Sequence, residues 1–331
     1  MTTAALTSLH AHDAMQARTA AIRERLTAAR TEAVTGRAAD PARAAGGDVG
    51  RVQRLEASLD YATTRADALA FASTRLMAGQ DAMTAIRETA QGVGLGLTVA
   101  LGSPAPQALE AAWAEASSAL PATLSRLNAS FGGRPLFGGN TGEAPLAPLA
   151  DLVAELDALA AGAPDADAAI AAVDAWFADG GGFLASIHRG GDGPGAEVEL
   201  APGERLRLGP PASDPAFRDV LRGLALAHVA LAQPDDAAQR TVLEAAATAL
   251  QGGSDRLVAL QAETGVAEER VERARLGHEA RIVTLQSGLD ALIGRDQAEA
   301  ISEMRMLETQ LEAAYLTTAR LANLSLVSFL R

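Results

Sequence analysis

Cysteine and lysine are both absent from this chain of 331 residues. Without cysteine the chain has no disulfide, no thiol nucleophile and no zinc–thiolate site, and its redox compartment stays undetermined. All 28 basic residues are therefore arginine; they face 41 acidic residues, which gives a net charge of −13. Because such a surface repels phosphate and anionic lipid, we expect no nucleic-acid partner and no membrane partner.

Aromatic residues and long hydrophobic runs are also scarce. Aromatics make up 3% of a chain that is 48% hydrophobic, so small side chains supply much of the buried surface and suit closely packed helices. The longest weakly polar run, residues 92–102, is too short and too rich in glycine to span a bilayer. Residues 1–18 show neither a basic start nor a continuous apolar stretch, so we expect no cleaved signal peptide, while other secretion routes stay open.

Two stretches near the ends of the chain have helical periodicity. Alternating steps of four and three residues lead from Leu55 to Met83, mostly through apolar side chains. The same alternation leads from Met304 to Leu321, and an apolar face continues to the C-terminus. This heptad-like spacing predicts long helices that pack against other helices.

The middle of the chain has a different composition. Val198 and Leu200 alternate with glutamate, and Leu206 and Leu208 alternate with arginine, on either side of the turn sequence APGE, so a β-hairpin is predicted. Six of the eleven aromatic residues indicate a compact core in this part: Phe131, Phe137, Trp176, Phe177, Phe183 and Phe217.

Shorter elements are predicted around the hairpin. Two helices are expected over roughly 149–161 and 165–178, separated by a Gly-Ala-Pro break. Residues 183–187, which precede a glycine-rich stretch, are predicted to form a further strand. Asp214 followed by Pro215 is typical of a helix start, so helix is expected to resume there.

The predicted fold class is therefore mainly α, with long N- and C-terminal helices paired into a helical rod and a small inserted α/β domain. Three parts are predicted: a terminal coiled-coil assembly region of residues 1–45 and 290–331, a helical rod domain of residues 46–130 and 214–289, and an inserted domain of residues 131–213.

The glycine-rich loop at residues 131–140, FGGRPLFGGN, invites comparison with a phosphate-binding loop. A Walker-type loop needs lysine and then serine or threonine after its last glycine, but Gly138 is followed by Gly139 and Asn140. We therefore interpret these glycines as turn residues.

The titratable side chains form no catalytic set. His10 and His12 lie two residues apart, so on a helix their rings diverge, and His188 has no nucleophile placed beside it. Asp235–Asp236 is interpreted as a helix N-terminus, and Glu268–Glu269 as part of a solvated face. We expect no catalytic, cofactor-binding or metal site, no cofactor, and no enzymatic activity.

Several segments resemble the flagellin superfamily. Gly36 is placed to end the first helix, and Asp40 with Pro41 to restart it. Gly36, Arg37, Asp40 and Pro41 together resemble the structural joint of that superfamily, in which a glycine and a basic residue follow the first helix and an Asp-Pro pair comes a few positions later.

The loop and the tail extend this resemblance. The segment GRPLFGG resembles the Gly-Arg-Tyr-Leu-Phe-Gly-Gly segment of the hook-filament junction proteins, also called third hook-associated proteins, with Pro135 in place of the aromatic residue. LETQLEAAY, and a Leu-Ser-Leu motif near the terminal Leu-Arg, are similar to the C-terminal helix of flagellins and junction proteins. The resemblance assigns five residues to a domain-exit loop: Gly133, Arg134, Phe137, Gly138 and Gly139.

This resemblance implies a structural adaptor of the bacterial flagellum that joins hook to filament as a ring of copies. Its implied partners are further copies, the adjacent hook-associated junction protein, flagellin and a flagellar export chaperone. The implied location is extracellular, after export by the flagellar type III apparatus. The terminal helices of such proteins form a coiled coil on assembly, and six residues are expected to carry it here: Met304, Leu307, Leu311, Leu321, Leu324 and Leu326.

Three alternatives stay open at this point. Flagellin itself shares the terminal helices but forms the filament. A ligand-binding or enzymatic domain in residues 131–213 would require a convergent polar pocket. A coiled-coil scaffold unrelated to flagella would be folded and oligomeric as a purified protein.

Overall fold

The structure, a computed structural model, describes residues 2–191 and 195–329, without the side chains of residues 2–12, 106 and 321–329. The helices are α1 (Thr2–Thr35), α2 (Pro41–Ala44), α3 (Val49–Leu101), α4 (Pro106–Leu127), α5 (Leu149–Gly162), α6 (Ala166–Phe177), α7 (Pro215–Val229), α8 (Asp236–Ile293) and α9 (Gln297–Phe329). The strands are β1 (Ser130–Phe131), β2 (Arg134–Pro135), β3 (Glu197–Ala201) and β4 (Glu204–Arg207). The predicted class, mainly α with a small inserted α/β region, is confirmed.

The chain divides into two compact units. Unit 1 consists of Met1–Thr64 and His278–Arg331, and unit 2 of Arg65–Gly277. The long helices α3 and α8 contribute residues to both units. In unit 1, α1 lies against α9, and a separate small apolar cluster joins α3 to α8 through Val52, Leu289 and Ile293.

Unit 2 contains one large buried cluster, the main core. It combines side chains from the middle of the chain with side chains from the long helices, among them Phe137, Phe183, Phe217, Met83, Ile86 and Leu250. Phe137 and Phe217 meet edge to face with ring centroids 5.0 Å apart, a favoured arrangement for aromatic rings. The inserted residues therefore pack on the long helices through one continuous apolar core.

A second cluster in unit 2, the hairpin cluster, anchors β3 and β4. The two strands pair antiparallel with Val198 opposite Leu206, which confirms the predicted hairpin. The apolar face of the hairpin lies on α3 and α8, because alternating residues of a strand point to one side. The buried members of the hairpin cluster are Leu69, Ala72, Leu76, Val198, Leu200, Leu208 and Val271.

Residues 183–187 form a π-helical turn, so the strand predicted there is wrong. Phe183 and Ile187 are both buried, and a spacing of four places both side chains on one side of a helical turn. The turn also packs closely, because the indole ring of Trp176 lies directly against Gly182. An apolar run of five residues does not distinguish such a turn from a strand by pattern alone.

Aspartates begin several helices as predicted. Asp214 accepts a hydrogen bond from the backbone N–H of Ala216 at 2.9 Å, and α7 then begins at Pro215. Asp235 accepts from the backbone N–H of Ala238 at 2.8 Å at the start of α8. Such caps satisfy helix N–H groups that have no partner within the helix.

Candidate assembly surfaces

A thin apolar seam joins α1 and α9 in unit 1. Leu26, Ala29 and Leu307 are buried in it, and Ile22, Met304 and Leu311 pack around them partly exposed. The spacings of four and three residues on both helices are those of a coiled-coil seam. Three side chains are buried in the described part of this pair, so that part has far less apolar support than the main core of unit 2.

Polar contacts flank this seam. Arg25 lies 2.8 Å from the carboxylate of Glu303, and Arg30 lies 2.9 Å from that of Glu308. Arg23 donates from Nε to the hydroxyl oxygen of Tyr315 at 2.9 Å. The backbone of Arg295, just before α9, meets Gly36, just after α1, whereas Thr318, late in α9, approaches Met15, early in α1, so the helices run antiparallel. Each exposed pair contributes only about 0–1 kcal/mol, and together they fix register more than stability.

Three of the six residues predicted for the terminal coiled coil lie in this seam: Met304, Leu307 and Leu311. Leu321, Leu324 and Leu326 belong to α9, but their side chains lie outside the described residues. The role of all six in contacts between copies stays a prediction. Unit 1 also exposes apolar side chains that the α1–α9 pair leaves uncovered, including Leu316 at 63% and Met306 at 50%.

The structural joint predicted at Gly36 is built by two chain segments together. Gly36 has a positive φ of 65° after α1, the conformation in which glycine caps a helix. The backbone N–H of Ala38 donates to the carbonyl of Ile293 at 2.8 Å, and the N–H of Arg295 donates to the carbonyl of Gly36 at 2.9 Å. Arg37 and Gly294 thus form an antiparallel bridge. Asp40 caps α2 at Pro41, as predicted.

Arg295 is a functional candidate of this joint that the sequence prediction missed. Its guanidinium lies 3.3 Å from Glu32, 3.5 Å from Glu299 and 3.4 Å from Glu303. It therefore ties the end of α1 to the start of α9. The one available signal was the dipeptide Gly294-Arg295, which repeats Gly36-Arg37.

The domain-exit loop is a tight turn followed by a buried anchor. Gly132 and Gly133 both have positive φ and connect β1 to β2, as a two-residue hairpin turn requires. Gly139 also has a positive φ, of 62°, whereas Gly138 lies beside the ring of Pro135. Phe137 is buried in the main core, so this loop residue is a packing residue.

Arg75 of α3 holds this loop in place. Its side chain is 4% exposed, and Nη2 donates to the carbonyls of Pro135 and Leu136, the latter at 3.1 Å. Burial lowers the pKa of Arg75, and the positive charge of Arg134 lowers it further. The sequence prediction missed Arg75, since an arginine next to an apolar helix position carries no signal of its own.

Among the described residues, no three His, Asp or Glu side chains are grouped so that they could hold a metal ion. A cavity of about 140 Å³ beside the exit loop has only Arg207 and Ser213 as polar side chains among its described lining residues. Across the described part of the chain, no helix has the length and apolarity to cross a membrane.

The two units differ strongly in charge. Unit 1 holds 13 arginines and 14 acidic residues, a formal charge of −1. Unit 2 holds 15 arginines and 27 acidic residues, a formal charge of −12. Electrostatic repulsion between copies is therefore weak where two copies of unit 1 approach each other and strong where two copies of unit 2 do.

Comparison with known proteins bears on the terminal helices and on the fold. Residues 243–330 match the model of the bacterial flagellin C-terminal helical region. The resemblance of the C-terminal region to that of flagellins is confirmed. The flagellin-type region includes all of α9 described here and most of α8, so it contains Arg295 and the α9 half of the apolar seam.

Solved structures share the fold of this chain over 72–73% of its length. The crystal structure of Bacillus cereus FlgL matches with a TM-score of 0.50 and 14% identity, over 72% of this chain and 99% of that one. A protein described as flagellar hook-associated from Vibrio parahaemolyticus matches with a TM-score of 0.52 and 15% identity, over 73% of this chain and 96% of that one. No curated protein matches the sequence.

Proposed function

We propose that this chain is a non-enzymatic structural adaptor that joins the hook of the bacterial flagellum to its filament. The observation that carries the proposal is a flagellin-type C-terminal region in a chain that shares its fold with FlgL and with a hook-associated protein. The loop GRPLFGG and the small inserted region favour the junction role over the filament role.

In this proposal unit 1 makes the contacts between copies. The α1–α9 seam is thin, its flanking ion pairs are exposed, and its uncovered apolar side chains have no partner within the described part of the pair. Its formal charge of −1 lets copies approach one another. Several weak contacts with neighbours in a closed ring then add up to a stable position for each copy.

Each of the three predicted parts of the chain has its own role in this proposal. Residues 1–45 and 290–331 form the assembly region, residues 46–130 and 214–289 the helical rod domain that contacts lateral copies, and residues 131–213 the inserted domain that faces solvent. The adjacent hook-associated junction protein and flagellin bind on either side, and an export chaperone binds before secretion through the type III apparatus.

Immunogold electron microscopy of intact flagella, with antibodies against residues 140–211, tests the location. A single labelled band where hook meets filament supports the junction role. Label along the whole filament identifies a flagellin, and flagella without label refute both flagellar roles.

Leu311→Asp tests the assembly surface. A carboxylate in the apolar seam is expected to abolish incorporation into flagella, because an unpaired charge there opposes packing of the terminal helices. Ala154→Asp is the control, since Ala154 is an exposed residue of α5 in the inserted domain, which is proposed to face solvent. Normal incorporation of the Leu311→Asp variant would contradict the assembly role of this seam.

A further inference from the structure

The two buried clusters of unit 2 are separated along the long helices. On α3 the last buried side chain of the hairpin cluster is Leu76, and the first buried ones of the main core are Ala82 and Met83. On α8 the main core is buried up to Leu257, and the hairpin cluster is buried again from Val271. At least one helical turn on each helix therefore adds no fully buried apolar side chain to either cluster, although the partly buried Ala78, Leu260 and Ala267 pack on the clusters there.

Polar side chains fill this gap. Gln80 donates from Nε2 to the backbone carbonyl of Gln261 at 2.8 Å, and Gln261 donates from Nε2 to the hydroxyl of Thr84 at 2.8 Å. Thr264 is buried, and its hydroxyl donates to the carbonyl of Leu260 within the same helix. We name Gly79, Gln80, Gln261, Thr264 and Gly265 the polar layer.

The two glycines of the polar layer have no packing reason to be glycine. A Cβ added at Gly79 would meet nothing within 4 Å, and one at Gly265 would meet only the Gln80 amide at 3.9 Å. Gly223 of α7 is the contrasting case, because a Cβ there would collide with Leu250. Glycine inside a helix favours the unfolded or bent backbone relative to alanine, so both long helices are weakened at the same level.

Packing at this level is also incomplete. A small cavity of about 10 Å³ lies between the clusters, with Gly79, Thr264 and Phe137 in its lining. Arg75 lines it too, and Nε of Arg75 has no acceptor among the described residues. A void of this size removes contacts from the atoms around it, so the layer resists bending less than a close-packed core does.

One turn further along α8, like charges on α8 and α3 also weaken the packing of the two helices. Glu268 of α8 was predicted to lie on a solvated face, but it is half-buried, and its Oε1 has no hydrogen-bond partner among the described residues. Desolvation raises the pKa of Glu268, and the negative charge of Asp81 on α3 raises it further. At neutral pH the two carboxylates therefore repel each other across the helix pair.

We propose that the polar layer is a hinge at which α3 and α8 bend, so that the hairpin cluster and the main core move as two bodies. Polar hydrogen bonds tolerate small shifts that interdigitated apolar side chains do not, and glycine absorbs the backbone change. The ion pair of Arg270 with Glu204, at 2.7 Å, lies on the hairpin side and moves with that body.

Distance measurements between spin labels test the hinge directly. The chain has no cysteine, so Val99→Cys on α3 beside the main core and Arg205→Cys on the hairpin give two unique labelling sites, both exposed. We expect a broad distribution of label distances in the parent chain and a narrowed one after Gly79→Ala with Gly265→Ala. Both alanines fit without collision, so the variant is expected to fold.

Gly252→Ala is the matched control. Gly252 also lies in α8 with nothing within 4 Å of an added Cβ, but outside the polar layer, so its alanine variant is expected to keep the broad distribution. A distribution that is equally narrow in the parent and in the double variant would overturn the hinge. Equal narrowing by Gly252→Ala would overturn its location.

Hydrogen exchange provides a second readout on the same variants. Amides of the polar layer are expected to exchange faster than those of the flanking main-core turns in the parent chain. Each alanine is expected to slow them about fivefold, the factor that corresponds to its advantage over glycine in a helix. Exchange in the parent layer that is as slow as in the flanking turns would also overturn the hinge.

Discussion

Replacing Leu307 with alanine measures how far the α1–α9 pair depends on its apolar seam. Leu307 is fully buried between the helices, and it is one of three buried side chains among those that the structure describes there. A buried Leu→Ala change costs about 2–5 kcal/mol, and a seam open to solvent on both sides can partly collapse, which places this site near the lower end. We expect about 2–3 kcal/mol.

That free energy lowers the ratio of closed to open helix pairs by roughly 30- to 150-fold at 25 °C. Glu308→Ala removes the exposed ion pair with Arg30 and is expected to cost at most about 1 kcal/mol. Hydrogen exchange of peptides within residues 13–35 and 297–320 reads the opening, and peptides of α7 in unit 2 serve as the internal reference.

The apolar seam predicts which variant opens the helix pair more, as well as the size of the effect. Leu307→Ala must accelerate exchange in both terminal helices, Glu308→Ala must change it little, and α7 must remain unaffected in both variants. If the two variants opened the pair equally, charged contacts would hold it, and if α7 changed as well, the pair would not be a separate element of stability.

Two further predictions concern unit 2. Phe137→Ala is expected to lower the free energy of unfolding by about 3–5 kcal/mol, because the ring is buried against Phe217. Phe131→Ala is expected to lower it less, because Phe131 is only half-buried. The opposite order in denaturant unfolding would contradict the anchor role of Phe137. Glu268→Gln is expected to stabilise unit 2 at neutral pH, since the raised pKa of Glu268 means that its ionised form opposes folding. That gain must shrink as pH falls below the folded pKa toward the ordinary glutamate range, and a gain that stayed constant would refute this cause.

Local patterns predicted much of the architecture. The alternation at Val198 and Leu206 predicted the hairpin, and the Asp-Pro pair at Asp214 predicted the start of α7, because both signals depend on residues close together in sequence. The π-helical turn at 183–187 was missed because its buried pair, Phe183 and Ile187, fits the apolar content of a strand as well.

The residues of the candidate surfaces were only partly predictable. Gly36 and Leu307 follow from helix capping and from heptad spacing, which are properties of one segment. Arg75 and Arg295 were missed because each acts on a segment distant in sequence, and no periodicity indicates which carbonyls or carboxylates an arginine will meet. Glu268 was misplaced for the same reason, since its partial burial depends on α3.

The unequal charge of the two units sets a condition on the solvent around an assembly. When copies gather through unit 1, each brings a unit 2 with a formal charge of −12 into the same volume. Over distances of about 8 Å, the Debye length at physiological ionic strength, that charge is screened only by mobile cations. In the proposed assembly, association is therefore an uptake of cations as well as a joining of helices.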